Sequence, residues 1–400
     1  MNVGDGGVRP WRVSAKRVIV LGSTGSIGVK ALQVMEDFPS RFDVVAISTN
    51  ERVDLLLRQA SQFKPEGVCV CSPTARDTGA EIASAVGAQF HEGEAGLTEM
   101  VARYDADIVV VATVGFVGLM PTLKAIERGI TVALANKEVL VTAGDLVMAA
   151  ARERGVKLLP IDSEHNALFQ CLNGCGEQSV RRLILTASGG PFRGRQPETL
   201  AAVTPDEALA HPTWNMGRKI SIDSATMMNK GFEMIEAAHL FGVPPERIEV
   251  VIHPQSTIHS MVEYVDGSIL AQLGRTDMYL PIQNVLMWPD RVENGFEPLD
   301  FAQLGQLTFE KPDPEGFPCL AYAYEAAARG GTCPAVLNGA NEVAVARFLA
   351  GEIGFLGIAR SIRNALDAHT LVSDPTLEQI HEADKEGRDA AQAVAAGTLG

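Results

Sequence analysis

The sequence predicts an α/β protein in three parts: a doubly wound parallel sheet, a central α+β unit and a C-terminal helical bundle. Three observations carry this. From Lys16 to about Leu159, short apolar runs ("RVIVLG", "DVVAIST", "GVCV", "DIVVVAT", "ITVALAN", "KLLPID") alternate with helical stretches, the rhythm of a parallel sheet covered on both faces. Past Asp162 the rhythm changes to "RRLILTAS", "KISIDS", "IEVVIHP" and the pair "HSMVEYV" and "SILAQLG", joined at Asp266-Gly267 by a hairpin turn. After the proline-rich "EKPDPEGFP" the pattern is helical, with Ala-rich periodic segments at 318–330, 334–350, 355–369 and 375–396 that predict a small bundle. The expected boundaries are a tail at 1–15, the parallel-sheet domain at 16–160, the α+β domain at 161–305 and the bundle at 306–400.

A chain of 400 residues exceeds one ordinary core, which agrees with several domains. The balance of 34 basic against 49 acidic side chains, −15 in all, argues against a general binder of nucleic acid or anionic membrane. The longest apolar run, "IVVVATVGFVGLM" from Ile108, is too short and too broken by Gly and Thr to span a bilayer. The opening "MNVGDGGVRPWRVSAK" has no apolar signal-peptide region and reads as a loose tail. Six cysteines at 69, 71, 171, 175, 319 and 333 form no CxxC pair, so reduced thiols in a cytoplasmic protein are expected.

The first strand runs into "VIVLGSTGSIGVKALQVM", which sets Gly22, Gly25 and Gly28 between a strand and a helix. This is the Rossmann-type context for a dinucleotide: glycines allow the tight turn and close pyrophosphate approach, and the helix N-terminus offers free N–H groups. The spacing is GxxGxxG, a departure from GxGxxG, with Thr24 and Ser26 adding hydroxyls. The second strand ends "AISTNERV", where Ser48, Thr49 and Asn50 stand in place of the acidic residue that holds ribose hydroxyls at NAD sites. Arg52 could face a 2′-phosphate, which favours NADP, although Glu51 opposes this and Arg52 reads equally as a solvated loop charge. A later strand end, "ALANKEVLVTAG", carries Asn136, Lys137 and Glu138 at a helix start, where doubly wound sheets gather ligands. Glu138 alone would be only a match to the helix dipole.

In "LLPIDSEHNALF", Asp162 and Glu164 read as the end of a strand, where residues i and i+2 point the same way. Two converging anions need a proton, a basic partner or a cation. "KISIDSATMMNKGFEMIEAAHLFG" supplies partners: Ser224 at an expected strand end, then Asn229, and Lys230 and Glu233 on one helix face. Asp162, Glu164 and Glu233 together make an oxygen-rich site for Mg²⁺ or Mn²⁺, with Co²⁺ a further candidate, and lack the thiolates or paired histidines of zinc. Glu236 reads as a salt-bridged surface residue. Ser188 in "LTASGGPF", with Ser224, Asn229 and Lys230, has the donors of a phosphate cradle. His211 and Trp214 lie in "HPTWNMG", a Pro- and Gly-bounded loop whose aromatic reads, by composition, as an anchor.

These motifs carry a resemblance. "GSTGSIG", "ALANKE", "PIDSEHNA", "SGGPFR", "HPTWNMGRKISIDSATMMNKGFE" and "HPQSTIHSMVEYVDGS", in order from Lys16 onward, closely resemble the 1-deoxy-D-xylulose 5-phosphate reductoisomerases of the non-mevalonate isoprenoid pathway. The resemblance implies a V-shaped homodimer with an NADPH domain, a catalytic domain and a helical bundle. It implies metal ligation by Asp162, Glu164 and Glu233, and phosphate binding by Ser188, Ser224, Asn229 and Lys230. Ser163, Lys137 and His211 would also contact the sugar phosphate, Lys137 and His211 joining the carboxylates in catalysis. Thr24, Gly25, Ser26, Ile27, Asn136, Lys137, Glu138 and Gly217 would surround NADPH. Asn50 and Arg52 stand where some members carry a glycine–lysine–asparagine run, and the loop at 211–217 becomes a mobile cover. The implied reaction is a retro-aldol/aldol rearrangement followed by hydride transfer, giving 2-C-methyl-D-erythritol 4-phosphate. Two other readings weigh less. A semialdehyde dehydrogenase would need a Cys nucleophile with a His base, and no Cys here has that context. An NADP-binding sensor would need neither a carboxylate triad nor a phosphate cradle.

Overall fold

The computed structural model describes residues 15–394 apart from Cys175 and Asn215. Nearly all of the expected N-terminal tail, the last two residues of the expected final helix and one of the six cysteines therefore lie outside the described residues. The first layer is a seven-stranded sheet of β1 (Lys16–Leu21), β2 (Phe42–Thr49), β3 (Gly67–Val70), β4 (Gln89–Glu92), β5 (Ile108–Val111), β6 (Thr131–Leu134) and β7 (Leu158–Pro160). Its order is β4-β3-β2-β1-β5-β6-β7, and every pairing is parallel. The chain moves outward from β1 to β4, then returns to the far side of β1 as β5. That reversal opens the crevice at which doubly wound sheets bind ligands. Of β4 only His91 is buried, so "QFHE" lacks the apolar run that marked the other strands.

A second, mixed sheet contains β8 (Val180–Ala187), β9 (Ile248–Ile252), β10 (Ile258–Tyr264) and β11 (Ile269–Leu273), ordered β11-β10-β8-β9. The β10–β11 hairpin turns at the expected Asp266-Gly267, with Gly267 at φ +87°. Four C-terminal helices, Cys319–Arg329, Cys333–Leu349, Phe355–Ala368 and Leu377–Ala393, match the periodic segments closely. The last opens on a capping box in which Thr376 accepts from the Gln379 N–H and the Gln379 side chain returns the bond.

Two apolar clusters flank the first sheet. On one face Val18, Val20, Leu32 and Met35 pack with Ile282 and Leu286 of the Tyr279–Met287 helix, so the chain returns to the first sheet after building the second. Tyr279 Oη donates to Asp37 at 2.6 Å across that seam. On the other face Val139, Leu140 and Val147 of the Glu138–Arg154 helix join Met234 and Ile235, and then Leu337 and Phe348 of the bundle, in one continuous core. The Glu138 helix is kinked at Ala143 (φ −134°), beside Thr142, whose hydroxyl donates back to the Glu138 carbonyl at 2.7 Å. Among the described residues no helix is long and apolar enough to cross a membrane.

Two expected strand ends are corrected. "KISIDS" lies in a helix, Arg218–Ala225, because tertiary burial of Ser221, Ile222, Asp223 and Ala225 overrides the alternating pattern. Its Lys219–Asp223 pair is spaced i,i+4, the helical spacing. Asp162 and Glu164 are not on a strand either. β7 stops at Pro160, Asp162 is the N-cap of the Ser163–Leu172 helix, and its carboxylate accepts from Ser163 N at 3.0 Å. The carboxylates converge through a cap and a first turn, not through the pleat.

Candidate functional site

At the cofactor end, Gly22 turns the chain at φ +81°, and a Cβ there would sit 2.5 Å from the Ala112 carbonyl oxygen. Gly28 lies against the same turn: a Cβ would meet Gly22 O at 2.2 Å and Ser23 Cα at 2.6 Å. The glycines thus bring the Ser26–Asp37 helix onto β1, and Gly25 caps that helix without a side-chain hydrogen bond. Its N-terminal N–H groups are left facing the crevice, an arrangement suited to a pyrophosphate. The end of β2 is stitched to this loop. Ser48 Oγ accepts from Gly22 N at 2.8 Å, and the Thr24 and Thr49 hydroxyls share a bond of 2.6 Å. The Thr24 hydroxyl therefore works inside the protein, and it is Ser26 that stays exposed. Arg52 donates to the Thr24 carbonyl at 2.7 Å, while Glu51 turns to the Ser72 hydroxyl at 3.4 Å. Asn50 is exposed at the same strand end. Asn136 is buried and braces the chain after β5, donating to Thr113 O at 3.0 Å and Gly115 O at 2.8 Å.

At the other end three carboxylates meet. Asp162, Glu164 and Glu233 each offer an oxygen within 4.8 Å of the others. Lys137 Nζ touches Asp162 Oδ2 at 2.6 Å, Asn229 Oδ1 at 2.8 Å and Glu233 Oε1 at 3.3 Å. Lys230 Nζ bonds Glu164 Oε1 at 2.9 Å and also bonds Glu233. Ser163 Oγ donates to the second oxygen of Glu164 at 2.6 Å. The electrostatics are divided. Burial pushes the Glu233 carboxyl up to about 7, reinforced by Glu164 beside it. Burial also opposes ionisation of Asp162, but Lys137 and His165 outweigh it and hold that group down at about 2. Three acids share two ammonium groups, and the raised Glu233 carboxyl reflects the burial and mutual repulsion that a hard divalent cation would relieve.

The four residues expected to hold a phosphate are divided: Asn229 and Lys230 are bonded into the carboxylate cluster, while Ser188 and Ser224 line the same cavity. Ser188 Oγ bonds His211 Nε2 at 2.9 Å and accepts from Gly190 N at 3.2 Å. His211 Nδ1 accepts from Thr213 N at 3.2 Å and Trp214 N at 3.0 Å, so the proton sits on Nε2 and burial lowers the imidazole pKa. Ser224 closes the helix before Asn229 and Lys230. Met227 between them is at φ +64°, and Ser256 opposite is at φ +51°. Both are non-glycine residues in the left-handed region and both line the site, where such strain concentrates. Trp214 is half-buried at the rim, its ring centroid 6.3 Å from that of His259.

The start of the Ser26–Asp37 helix and the carboxylate end share a single cavity of about 430 Å³. Ser26, Ile27 and Lys137 line it with Gly217, the three carboxylates, Ser163, Ser188, His211, Ser224, Asn229 and Lys230. Thr24, Gly25, Asn50, Arg52, Asn136 and Glu138, all expected at the cofactor, are not among its lining residues. The Glu138 carboxylate is held by Lys219 at 2.8 Å. Several residues escaped the sequence reading. Glu236 is buried, not on the surface, and faces His165 Nδ1 at 3.6 Å, while His165 Nε2 bonds the Glu233 carbonyl at 2.8 Å. Its i+3 spacing from Glu233 was the available signal. Ser256 and His259 also line the cavity, and "HPQSTIHS", with its two histidines, could have pointed to them.

Three family models match the chain: 1-deoxy-D-xylulose 5-phosphate reductoisomerase over residues 18–144, its C-terminal domain over 158–241, and a DXP reductoisomerase C-terminal domain over 273–390. The chain belongs to the 1-deoxy-D-xylulose 5-phosphate reductoisomerase family. It is 53% identical to the family member of Symbiobacterium thermophilum over 381 residues, covering 94% of this chain and 98% of the relative. The member from Pseudomonas savastanoi is 52% identical, with 93% and 96% covered. Among solved reductoisomerase structures, the Zymomonas mobilis protein in complex with NADPH is 47% identical at a TM-score of 0.88, with 95% and 99% covered. A second, in complex with NADPH, fosmidomycin and magnesium, is 43% identical at 0.90, with 94% and 98% covered.

Proposed function

We propose that this chain converts 1-deoxy-D-xylulose 5-phosphate to 2-C-methyl-D-erythritol 4-phosphate, with NADPH as reductant and Mg²⁺ or Mn²⁺ as metal, in isoprenoid biosynthesis by the non-mevalonate route. One observation carries the reading: a dinucleotide-type helix N-terminus and a buried three-carboxylate cluster line the same cavity, together with Ser188, Ser224, Asn229 and Lys230. Asp162, Glu164 and Glu233 would hold the cation, which supplies Lewis acidity toward a carbonyl and a neighbouring hydroxyl. The protein's own groups do the rest. Ser188, Ser224, Asn229 and Lys230 fix the phosphate, and that remote binding energy holds the reacting end in place through rearrangement. His211, with Nδ1 engaged by the backbone, donates its Nε2–H to Ser188 Oγ and so orients that hydroxyl in the cavity. Lys137 keeps a positive charge beside the reacting oxygens.

The end of β2 favours NADPH over NADH, because Glu51 is turned away and the Arg52 guanidinium lies at the glycine loop. Replacing Arg52 with Ala should shrink the preference, mainly through the KM for NADPH. Equal kcat/KM for the two cofactors in the unaltered protein would refute this part. The reading also takes the chain as cytoplasmic, which the five described free thiols support. It takes the domain limits at 16–160, 161–305 and 306–400 and a cover formed by the loop around Trp214; Asn215 of that loop and residues 395–400 lie outside the described residues. It further includes a homodimer: β11 is a sheet edge with Ile269 51% and Leu270 48% exposed, a surface suited to pairing with a second copy. Mixing the protein with the sugar phosphate, NADPH and Mn²⁺ should consume nicotinamide absorbance only when all three are present. A protein that binds NADPH yet never oxidises it under those conditions would overturn the assignment.

A further inference from the structure

Among the described residues three lysines line the cavity: Lys30, Lys137 and Lys230. Lys137 and Lys230 are buried and committed to the carboxylate cluster. Lys30 is placed differently. It lies in the second turn of the Ser26–Asp37 helix, and Ser26, Ile27 and Lys30 are the residues by which that helix reaches the cavity. Residues three and four apart share a helix face, and helical side chains lean toward the N-terminus. The stem of Lys30 thus runs back over the first turn, where the N–H groups of a helix have no intrahelical acceptor.

The Lys30 ammonium pairs with Asp277 Oδ2 at 3.4 Å, and the two side chains remain 32% and 34% exposed. An ion pair of that length between partly solvated groups holds little. Asp277 belongs to the segment Thr276–Met278, which also lines the cavity just before the Tyr279–Met287 helix. Its other oxygen, Oδ1, accepts from Tyr279 N at 2.6 Å, so the backbone fixes this carboxylate without help from Lys30. The seam between the two helices does not depend on the pair either. Tyr279 Oη donates to Asp37 at 2.6 Å, and Lys16 Nζ donates to the Leu286 and Trp288 carbonyls at 2.9 and 3.1 Å. What the pair does is park a mobile positive charge beside the helix start.

We propose that Lys30 is a further cofactor-binding residue: its ammonium leaves Asp277 for the diphosphate of the dinucleotide, and Asp277 competes with the cofactor for it. This rests on the reading above that a dinucleotide occupies the crevice. Charge-assisted bonds to phosphate oxygens outweigh a loose, partly solvated carboxylate pair, so the exchange runs toward the ligand. The role differs from that of Arg52. Arg52 bears on the 2′-phosphate that separates NADPH from NADH, whereas Lys30 bears on the diphosphate that both cofactors carry.

The test compares Lys30→Met, Asp277→Asn and the double variant with the unaltered protein. Met keeps the stem and the helix propensity, and Asn keeps an acceptor for Tyr279 N. Each protein is melted, and each is titrated with NADPH and with NADH by fluorescence at low and high salt. Lys30→Met should weaken both cofactors by the same factor, about tenfold at low salt and less at high salt, where the charge is screened. Asp277→Asn should tighten both about threefold, and the double variant should lack that gain because the ammonium it would release is gone. Unaltered Kd values in Lys30→Met would overturn the proposal. A loss confined to NADPH would put the ammonium at the 2′-phosphate and overturn the diphosphate assignment. Asp277→Asn binding as weakly as Lys30→Met, or either variant melting far below the unaltered protein, would make the pair a structural strap and refute the competition. An unaltered protein that binds neither cofactor would instead strike the functional reading, so the two failures are distinguishable.

Discussion

The two ends of the cavity are built from different materials. The cofactor end is backbone: glycines that clear a path, an uncapped helix start, and hydroxyls that stitch β2 to the loop. The metal end is side chain: three carboxylates and two ammonium groups, nearly all buried, each holding the next in place. A backbone site resists most substitutions but fails when a Cβ is added. A side-chain site made of buried charge fails when any one charge is removed, because its partners are left uncompensated. The contrast can be broken or sharpened by experiment.

The largest effect is expected at the metal end. Asp162→Asn, Glu164→Gln or Glu233→Gln should each lower kcat about 10³-fold or more, the loss of several kcal/mol of Lewis-acid stabilisation, while NADPH binds within about twofold of the unaltered protein. Full activity after exhaustive chelation would end the metal assignment. Gly28→Ala should act in the opposite place. Its Cβ would need to share space with Gly22 O and Ser23, an overpacking worth about 1–3 kcal/mol, so the Kd for NADPH should rise about tenfold or more. Mn²⁺ affinity, read by electron paramagnetic resonance, should not change; a joint loss of both would mean that the two ends are not separable.

Trp214 lies at the rim between them. Because its ring is only half-buried, Trp214→Ala should leave the melting temperature nearly unchanged, in contrast to the roughly 3–5 kcal/mol lost with a buried Trp. As part of a cover it should cost about 10- to 100-fold in kcat/KM. A variant that melts much lower but turns over normally would make Trp214 a packing residue. The smallest effect concerns Glu236, which burial pushes up to about 7 from the ordinary 4.5, with His165 pulling the other way. Its folded pKa lies above its unfolded one, so between those values the folded protein binds more protons and its stability falls as pH rises. In metal-free protein Glu236→Gln should flatten that fall between pH 5 and 7 by an amount of order 2 kcal/mol, without adding a slope at lower pH. An unaltered melting profile would show that Glu236 titrates normally.

The sequence by itself determined the α/β layering, the glycine loop, the hairpin, the four C-terminal helices and the set of carboxylates that converge, Asp162, Glu164 and Glu233. These are readable because each is a local signal: an apolar run, a turn residue, a period, or a carboxylate beside another. Glu233 and Lys230 could be placed on one helix face from their spacing alone. Tertiary structure decided the rest, and for physical reasons. The alternation in "KISIDS" favours a strand, yet burial of Ile222 and Asp223 against the bundle and the 219–223 ion pair make it a helix. Asp162 and Glu164 do converge, but through an N-cap, because Pro160 ends β7 before they are reached. Glu236 reads as an ordinary helix acid until packing takes it out of water beside His165. The i,i+4 spacing points from Lys219 to Asp223, but no local pattern ties it to Glu138, 81 residues away on another helix, and only packing brings those two within 2.8 Å. Burial and long-range pairing depend on how distant segments pack, and a buried charge takes its role from neighbours that only the folded chain brings to it.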